Sequence, residues 1–225
     1  MTDYLAFEQP LNERLRTFLR IESLFNQFAF HVKHGSSWDN PVAIGVITDI
    51  LSFTTRSDIK LEVLKELERQ HARLERLSRR PQIDQAQLSS LLQNQSSLIK
   101  ELHSNTGQLG QSTQNVELLS AIKQKNSVPG PICDFDLPAY HYWLQQPAAD
   151  RTRDLGHWLS NFNTIGQAIQ LVLQLTRDST LLKPARANEG MFQAHLDPNL
   201  PYQLIRIALP NNVPYFAELS GGRQR

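Results

Sequence analysis

The sequence contains a single cysteine, no long apolar run and almost no net charge. Because Cys133 is the only cysteine, no internal disulfide can form, and we expect a reducing compartment. No uninterrupted apolar stretch reaches about 18 residues, which argues against a transmembrane helix. The N-terminus carries an acid, Asp3, and lacks the basic and apolar segments of a signal peptide. These absences predict a soluble, cytoplasmic protein without direct membrane insertion.

The net charge of the whole chain does not indicate a type of binding partner. A formal net charge of +1 over 225 residues gives no global field that would draw the protein to nucleic acid or to an anionic bilayer. Any electrostatic partner must therefore be recognised by local clusters of charge. The length allows one large domain or two small ones.

Motifs for catalysis and metal binding are missing. The sequence has no glycine-rich phosphate loop, no HExxH, no CxxC and no His/Asp group at metal-ligand spacing. Cys133, Asp136 and His141 lie close in sequence, but the members of a catalytic triad normally come from distant segments. A cysteine-dependent hydrolase is therefore the least favoured alternative. We expect no enzymatic activity, no cofactor and no metal.

The sequence does contain helical periodicity, which begins in residues 11–28. At about 100° per residue the apolar side chains fill a broad face that we expect to be buried, namely Leu11, Leu15, Phe18, Leu19, Ile21, Leu24, Phe25 and Phe28. A narrow polar stripe remains, on which Arg16 and Arg20 lie one turn apart. Two interpretations fit this stripe: the solvated side of a core helix, or the floor of an anion-binding groove.

Two long helices are predicted in the middle of the chain. The first begins at Ser57 or Asp58, extends to Arg80 and carries a leucine seam. Pro81 ends it, and Asp84 with Gln87 predicts the N-terminal cap of the next helix. A short turn makes two such helices antiparallel. A seam of this length also suits pairing between chains, so a helical homodimer is one interpretation.

The first long helix ends in a basic cluster, Arg73, Arg76, Arg79 and Arg80. Cations suit the C-terminal end of a helix dipole, which is a sufficient explanation. The cluster is also the best candidate for nucleic-acid binding, so a helical nucleic-acid-binding protein is the alternative function. Interleaved acids and the small net charge argue against it, and we expect no nucleic acid. A module that recognises an acidic or mixed peptide fits better.

The character of the sequence changes at about Ser179. Before it, shorter helices are predicted at 116–125, 138–144, 151–162 and 164–177. After it, a period of two predicts antiparallel strands at 191–196, 203–209 and 215–219.

Because two or three strands are marginal alone, the N-terminal strand 4–7 is expected to complete this sheet. The predicted fold class is α+β, mainly α. A helical dimerisation domain with long antiparallel helices is assigned to 9–178, and a small antiparallel β-domain to 1–8 and 179–225.

Three segments resemble one family in order and at matching spacing: FEQPLNERLRTFLRIE, LKELERQHARLE and PGPICDFDLPAYHYWL. The family is Z-ring-associated protein D (ZapD), a bacterial cell-division factor, and the resemblance extends in register from Phe7 to about Arg177 and more loosely to Arg225. It implies a helical domain with a small β-domain, a homodimer built through the helical part, and no enzymatic activity. It also implies binding to the C-terminal peptide of the tubulin-like GTPase FtsZ. Such binding would cross-link and bundle FtsZ protofilaments at the midcell division ring.

The resemblance also implies the residues of a cationic FtsZ-binding region. Arg20, Arg56, His141 and Arg225 fall on its basic positions, and Arg16 and Arg223 are neighbours that add charge. Glu117 departs from the family, in which an arginine can occupy this position, whereas Lys123 and Lys125 keep the same helix basic. The family continues into a further strand after the SGGRQR segment, so we expect the β-domain to be C-terminally incomplete here.

Overall fold

A computed structural model describes residues 4–56, 58–78, 84–105, 107, 109–126 and 130–220. This part of the chain is mainly helical and contains one small sheet, which confirms the predicted α+β class and its helical majority. In chain order the elements are β1 (Tyr4–Pro10), α1 (Glu13–His34), α2 (Asp39–Arg56), α3 (Ile59–Leu77), α4 (Gln85–Ser104), α5 (Gln111–Gln114), α6 (Glu117–Lys125), α7 (Pro138–Leu144), α8 (Ala148–Ser160), α9 (Asn163–Asp178) and β2 (Leu204–Pro210).

The sheet confirms the predicted role of the N-terminal strand. β1 pairs antiparallel with β2 over their full lengths, from Tyr4 opposite Pro210 to Pro10 opposite Leu204. Glu8 on β1 faces Arg206 on β2 and accepts two hydrogen bonds from Arg177, at 2.9 and 2.8 Å. These charge-assisted bonds fix the sheet to the end of α9.

Two of the predicted strands are wrong. Residues 191–196 and 215–219 form no strand in the described chain, although Asn188 and Met191 make an isolated bridge. Their alternating side chains fit an extended backbone, but a strand also needs a neighbour that satisfies its N–H and C=O groups. Pro10 ends β1, and α1 begins three residues later, at Glu13.

The described chain divides into two compact units. One comprises the described residues of Met1–Leu19 and Leu173–Arg225, and the other comprises Arg20–Val172. Both limits fall inside helices, α1 and α9. The predicted domain assignment remains a prediction, because compactness in one chain tests neither independent folding nor dimerisation.

Helix α1 buries most of the face that its periodicity predicts. Leu15, Phe18 and Ile21 are at most 2% exposed. Leu11, which was placed on the same face, is instead 40% exposed, because the helix begins after it. The side chain of Asn12 accepts a hydrogen bond from the backbone N–H of Leu15 at 2.8 Å, as an N-cap residue does.

Helices α3 and α4 form the predicted antiparallel pair. His71 of α3 lies 3.2 Å from Gln95 of α4, and Glu68, earlier in α3, lies 3.3 Å from His103, later in α4. The predicted cap is confirmed, since Asp84 accepts from the backbone N–H groups of two residues in the first turn, Ala86 and Gln87. The leucine seam is therefore used, at least in part, within one chain.

Gly110 is the position in the turn-rich segment after α4 that requires glycine. Its φ is +74°, and a Cβ there would lie 2.5 Å from the Phe162 ring and 2.7 Å from Leu51. It precedes α5, in which the buried Thr113 donates to the carbonyl of Trp158 at 2.9 Å. This hydrogen bond joins α5 to α8.

Candidate functional site

The C-terminal end of α6 lies against the turn that leads into α7. Lys123 is exposed in the last turn of α6, and Lys125 ends the helix with its Nζ 3.9 Å from Oδ1 of Asp136. The other carboxylate oxygen of Asp136 accepts from the backbone N–H of Cys133 at 3.1 Å. Asp136 therefore fixes the turn before α7 and neutralises part of the Lys125 charge, whereas Lys123 remains open to solvent.

Helix α7 is short and is anchored by the aromatic residues on its inner face. Tyr140 and Trp143 are buried, and their rings stack with centroids 6.2 Å apart. Trp143 also contacts Trp158 of α8 at 5.5 Å between centroids and donates from its indole nitrogen to Asp154 at 3.0 Å. Burial raises the pKa of Tyr140 to about 12, so its phenol stays neutral at physiological pH.

The outer face of α7 presents His141 and Tyr142 to solvent. Both are exposed, and Tyr142 is 70% exposed. Because the opposite face is fixed by ring packing, these two side chains are held on a rigid element. We name the group formed by Lys123, Lys125 and His141 the lysine–histidine surface.

The two predicted arginines of α1 have different surroundings. Arg20 is exposed, and the described part of the chain contains no hydrogen-bond or ion-pair partner for it. Nε of Arg16 lies 3.6 Å from Glu13, in a pair whose side chains are 41% and 84% exposed. Such an exposed pair contributes about 0–1 kcal/mol, so it does little to fix Arg16. The position of Arg20 fits both interpretations of the polar stripe.

Three predicted site residues lie wholly or partly outside the description. Arg223 and Arg225 lie outside the described residues, and so does the side chain of Arg56, whose backbone ends α2. The structure describes the other five, and helices α6 and α7, which carry Lys123, Lys125 and His141, contact each other. Arg16 and Arg20 follow each other along α1.

The cluster of Cys133, Asp136 and His141 does not form a triad in the described chain. The carboxylate of Asp136 is engaged by Lys125 and by the backbone N–H of Cys133. Sγ of Cys133 lies 3.7 Å from the carbonyl of Pro131, and no described hydrogen bond joins either residue to the side chain of His141. The nucleophile and base therefore lack the contact that activation needs.

The described residues contain neither a metal-binding group nor a membrane-spanning helix. No group of three His, Cys, Asp or Glu side chains there could hold a metal ion. No helix there is both long and apolar enough to cross a bilayer.

The basic end of α3 is only partly described. Arg73 and Arg76 are exposed, whereas Arg79 and Arg80 lie outside the described residues. Glu75 stands between the two described arginines, and its carboxylate lies 3.6 Å from His71. The nucleic-acid alternative stays a prediction.

The five described site residues are exposed or half-buried and line neither of the two described cavities. A cavity of about 380 Å³ is lined by small and polar residues around Gly110. Another of about 130 Å³ lies between α1 and α9, beside Phe25 and Gly166. An open surface suits an extended peptide better than a small molecule, which needs a concave pocket.

Tyr142 has no role among the sequence-based predictions, although it adjoins His141. Its segment is rich in aromatic residues, and composition does not separate buried from exposed rings. Helical spacing does carry a signal, because Tyr142 lies about 200° around α7 from the buried Tyr140.

Comparison with known proteins identifies the family. A family model described as the cell division protein ZapD matches residues 19–225. The chain belongs to the ZapD family. It is 36% identical to the cell division protein ZapD of Methylococcus capsulatus over 225 residues, which is 100% of this chain and 88% of the relative.

Other ZapD proteins show the same extent of similarity. The chain is 33% identical to ZapD of an Azoarcus species over 219 residues, covering 97% of this chain and 87% of the relative. It is also 33% identical to ZapD of Nitrosomonas europaea over 219 residues, covering 97% and 83%. Membership of the ZapD family supports a role in cell division.

Proposed function

We propose that this chain is a non-enzymatic cell-division adaptor that binds the C-terminal peptide of FtsZ. As a homodimer it cross-links and bundles FtsZ protofilaments at the midcell ring. The observation that carries the proposal is the ZapD family match, which extends over residues 19–225. The lysine–histidine surface supports it as a place where an acidic peptide could bind.

The charges of α6 suit an anionic ligand at one end of the helix. Lys123 and Lys125 lie in its last turn, whereas Glu117 lies in its first turn. Lys123 follows Glu117 by six positions, which is about 9 Å along the helix axis. Glu117 therefore does not neutralise the lysines at the C-terminal end of α6, although relatives can carry an arginine at its position.

Bundling needs two binding sites and no covalent chemistry. A homodimer presents each site twice, and a protofilament displays many tails, so the second contact is effectively intramolecular. The gain in avidity is about 10²–10⁴ when the geometry lets both contacts form. Weak peptide binding by each protomer is then sufficient for cross-linking.

The first prediction concerns the double variant Lys123→Glu with His141→Ala. It should reduce co-sedimentation with FtsZ polymers by about tenfold or more, because it replaces the exposed lysine by an acid and removes the exposed imidazole where the tail is bound. Pelleting is measured with full-length FtsZ and with FtsZ that lacks its C-terminal peptide. Circular dichroism checks that the variant is folded.

Lys183→Glu is the matched control, because Lys183 is an exposed lysine outside the lysine–histidine surface. It should pellet like the unchanged protein. Equal pelleting with tailless FtsZ would show that the tail is not the ligand. If the double variant pelleted like the unchanged protein, and pelleting still required the FtsZ tail, the peptide would bind elsewhere on the chain.

A further inference from the structure

Among the exposed aromatic side chains, one lies near the end of α1, one in the loop before α2 and one on α7. Trp38 is 86% exposed, Tyr142 is 70% exposed and Phe30 is 58% exposed. All three belong to the compact unit Arg20–Val172. Large exposed aromatic residues are costly in water and are enriched where proteins bind partners. We name these three residues the aromatic patch.

The buried Arg151 of α8 ties together the two segments that carry the patch. It is 8% exposed, and its Nη1 donates to the carbonyls of Leu144, at 3.1 Å, and of Gln146. Its Nη2 donates to the carbonyl of Gly35 at 3.4 Å. The end of α7 and the loop between α1 and α2 therefore meet at one guanidinium group.

This meeting point brings the aromatic side chains within reach of one peptide. Trp38 is three residues from Gly35, and Tyr142 is two residues from Leu144. Three residues of chain span at most about 11 Å, so the Cα atoms of both aromatic residues lie within about 11 Å of a residue whose carbonyl Arg151 binds. His141, which belongs to the lysine–histidine surface, precedes Tyr142 on α7.

The corner between α1 and α2 holds its part of the patch in a defined conformation. The backbone N–H of Ser36 donates to Asp39 at 3.2 Å, and the backbone N–H of Asp39 donates back to the Ser36 hydroxyl at 3.2 Å. His31 lies 2.8 Å from the same carboxylate. Phe30 packs on His34 with ring centroids 4.3 Å apart. A preorganised surface loses little entropy when it binds a ligand.

The charges around the patch favour an acidic ligand. Lys33, His34 and His141 are exposed cations or potential cations. The carboxylate of Asp39 is engaged by Ser36 and His31. The exposed aromatic rings lie beside these cations, so we expect the ligand to carry an apolar side chain as well as acidic groups.

We propose that Phe30, Trp38 and Tyr142 form an apolar anchor site for an acidic peptide that carries aromatic or aliphatic side chains. The inference rests on the proposed function, under which this peptide is the FtsZ tail. The aromatic patch takes the apolar side chains, and the lysine–histidine surface takes the carboxylates. Trp38 and Tyr142 then determine specificity, because charge alone does not distinguish one acidic peptide from another.

A second copy of this chain fits the patch less well. A two-fold interface brings the same surface of both protomers together. The exposed Lys33 of both protomers would then lie in one interface, and like charges there oppose association. An acidic peptide meets no such repulsion.

The experiment uses Trp38 as its own reporter. The chain has three tryptophans, and the other two, Trp143 and Trp158, are only 7% and 8% exposed. Acrylamide quenching of tryptophan fluorescence is measured while a synthetic FtsZ C-terminal peptide is titrated in. The peptide should protect the fluorescence from quenching, since Trp38 supplies most of the accessible indole.

Affinity is then measured by the anisotropy of a labelled peptide. Trp38→Ala and Tyr142→Ala should each weaken binding by about tenfold or more. Tyr215→Ala is the matched control, because Tyr215 is 72% exposed outside the patch, and its affinity should equal that of the unchanged protein. A peptide whose apolar residues are replaced by serine should bind weakly to the unchanged protein. The substitution Trp38→Ala should lower the affinity for this peptide only slightly further.

Each contrary outcome points to a different error. Unchanged affinity in Trp38→Ala and Tyr142→Ala, with normal binding by the unchanged protein, overturns the anchor site and leaves the proposed function standing. No binding of the peptide to the unchanged protein overturns both. Protection of Trp38 that rises with protein concentration in the absence of peptide, matched by dimerisation in sedimentation equilibrium, assigns the patch to a second copy and overturns the peptide as its occupant.

Discussion

Arg151 shows how one buried charge is accommodated without a carboxylate partner among the described ion pairs. Its guanidinium donates to three backbone carbonyls, those of Leu144, Gln146 and Gly35. Arginine suits this role because its planar fork presents several donors in fixed directions and remains charged at every physiological pH. The carbonyls at the end of α7 would otherwise lack intrahelical partners.

We predict that Arg151→Met destabilises the protein by about 2–4 kcal/mol. Methionine replaces the apolar stem but donates no hydrogen bond, so the buried carbonyls lose their charged partner. Urea unfolding followed by circular dichroism gives the free energy of unfolding.

The control for this substitution is Arg153→Met on the same helix. Arg153 pairs with Asp150 at 2.8 Å, but its side chain is 72% exposed. Its loss should therefore change stability by no more than about 0.5 kcal/mol. Equal effects of the two substitutions would contradict the role assigned to Arg151.

At the scale of elements, the start of α2 depends on a reciprocal pair of hydrogen bonds. Ser36 and Asp39, three residues apart, each accept a hydrogen bond from the other's backbone N–H, which is the reciprocal pattern of a capping box. Hydrogen bonding from Ser36, and then from His31, lowers the pKa of Asp39 from 3.8 to about 2. The ionised carboxylate is thus the form that stabilises this corner.

We predict that Asp39→Asn lowers the thermal stability at pH 7, and that the difference from the unchanged protein shrinks as pH falls. The folded pKa lies below the unfolded value, so the ionised group stabilises the fold above about pH 4. This contribution is lost as pH falls through about 2, where the carboxyl group is protonated in both states. Asparagine keeps the shape of the side chain but has one acceptor oxygen, so the substitution removes the charge and the hydrogen bonds of one carboxylate oxygen, to Ser36 or to His31.

The measurement is the melting temperature of both proteins at several values between pH 2 and pH 7. Asp49→Asn is the control, because Asp49 is an exposed carboxylate elsewhere on α2. A difference between Asp39→Asn and the unchanged protein that stays constant down to pH 2 would mean that the carboxylate charge does not hold the corner.

At the scale of the whole molecule, the proposed bundling combines weak contacts. Under the proposed function each peptide contact uses exposed cations such as Lys123 and Arg20. Salt screens such charges, since the Debye length falls from about 10 Å at 0.1 M to about 3 Å at 1 M. A cross-link needs two peptide contacts at once. A loss of affinity in each contact therefore weakens cross-linking more than it weakens a single contact.

We predict that raising salt from about 0.05 M to 0.5 M weakens FtsZ bundling more steeply than it weakens binding of the isolated tail peptide. The aromatic patch should preserve part of the peptide affinity, because apolar contacts are not screened. Light scattering measures bundling, and anisotropy measures peptide binding. Sucrose at matched osmolarity is the control for effects unrelated to charge. Bundling that is unchanged between the two salt concentrations would refute the electrostatic part of the proposal.

The helical part of the fold was largely predictable from residues near in sequence. The spacing of Leu15, Phe18 and Ile21 predicted the buried face of α1, and Asp84 predicted the start of α4. Both features follow from local rules, namely a period of 3.6 residues and the unsatisfied N–H groups of a first turn. The strands were less predictable, because the alternation at 191–196 does not reveal whether a partner strand exists.

The sequence by itself determined the mainly helical α+β class, the pairing of the N-terminal strand and the family. It also named His141 and the lysines of α6 as candidate binding residues. Only the tertiary structure decided that α7 turns Tyr140 inward and Tyr142 outward, and that Arg151 joins this helix to the loop before Trp38. The reason is physical: periodicity and capping act between residues a few positions apart, whereas burial and the partners of Arg151 depend on segments more than a hundred residues apart.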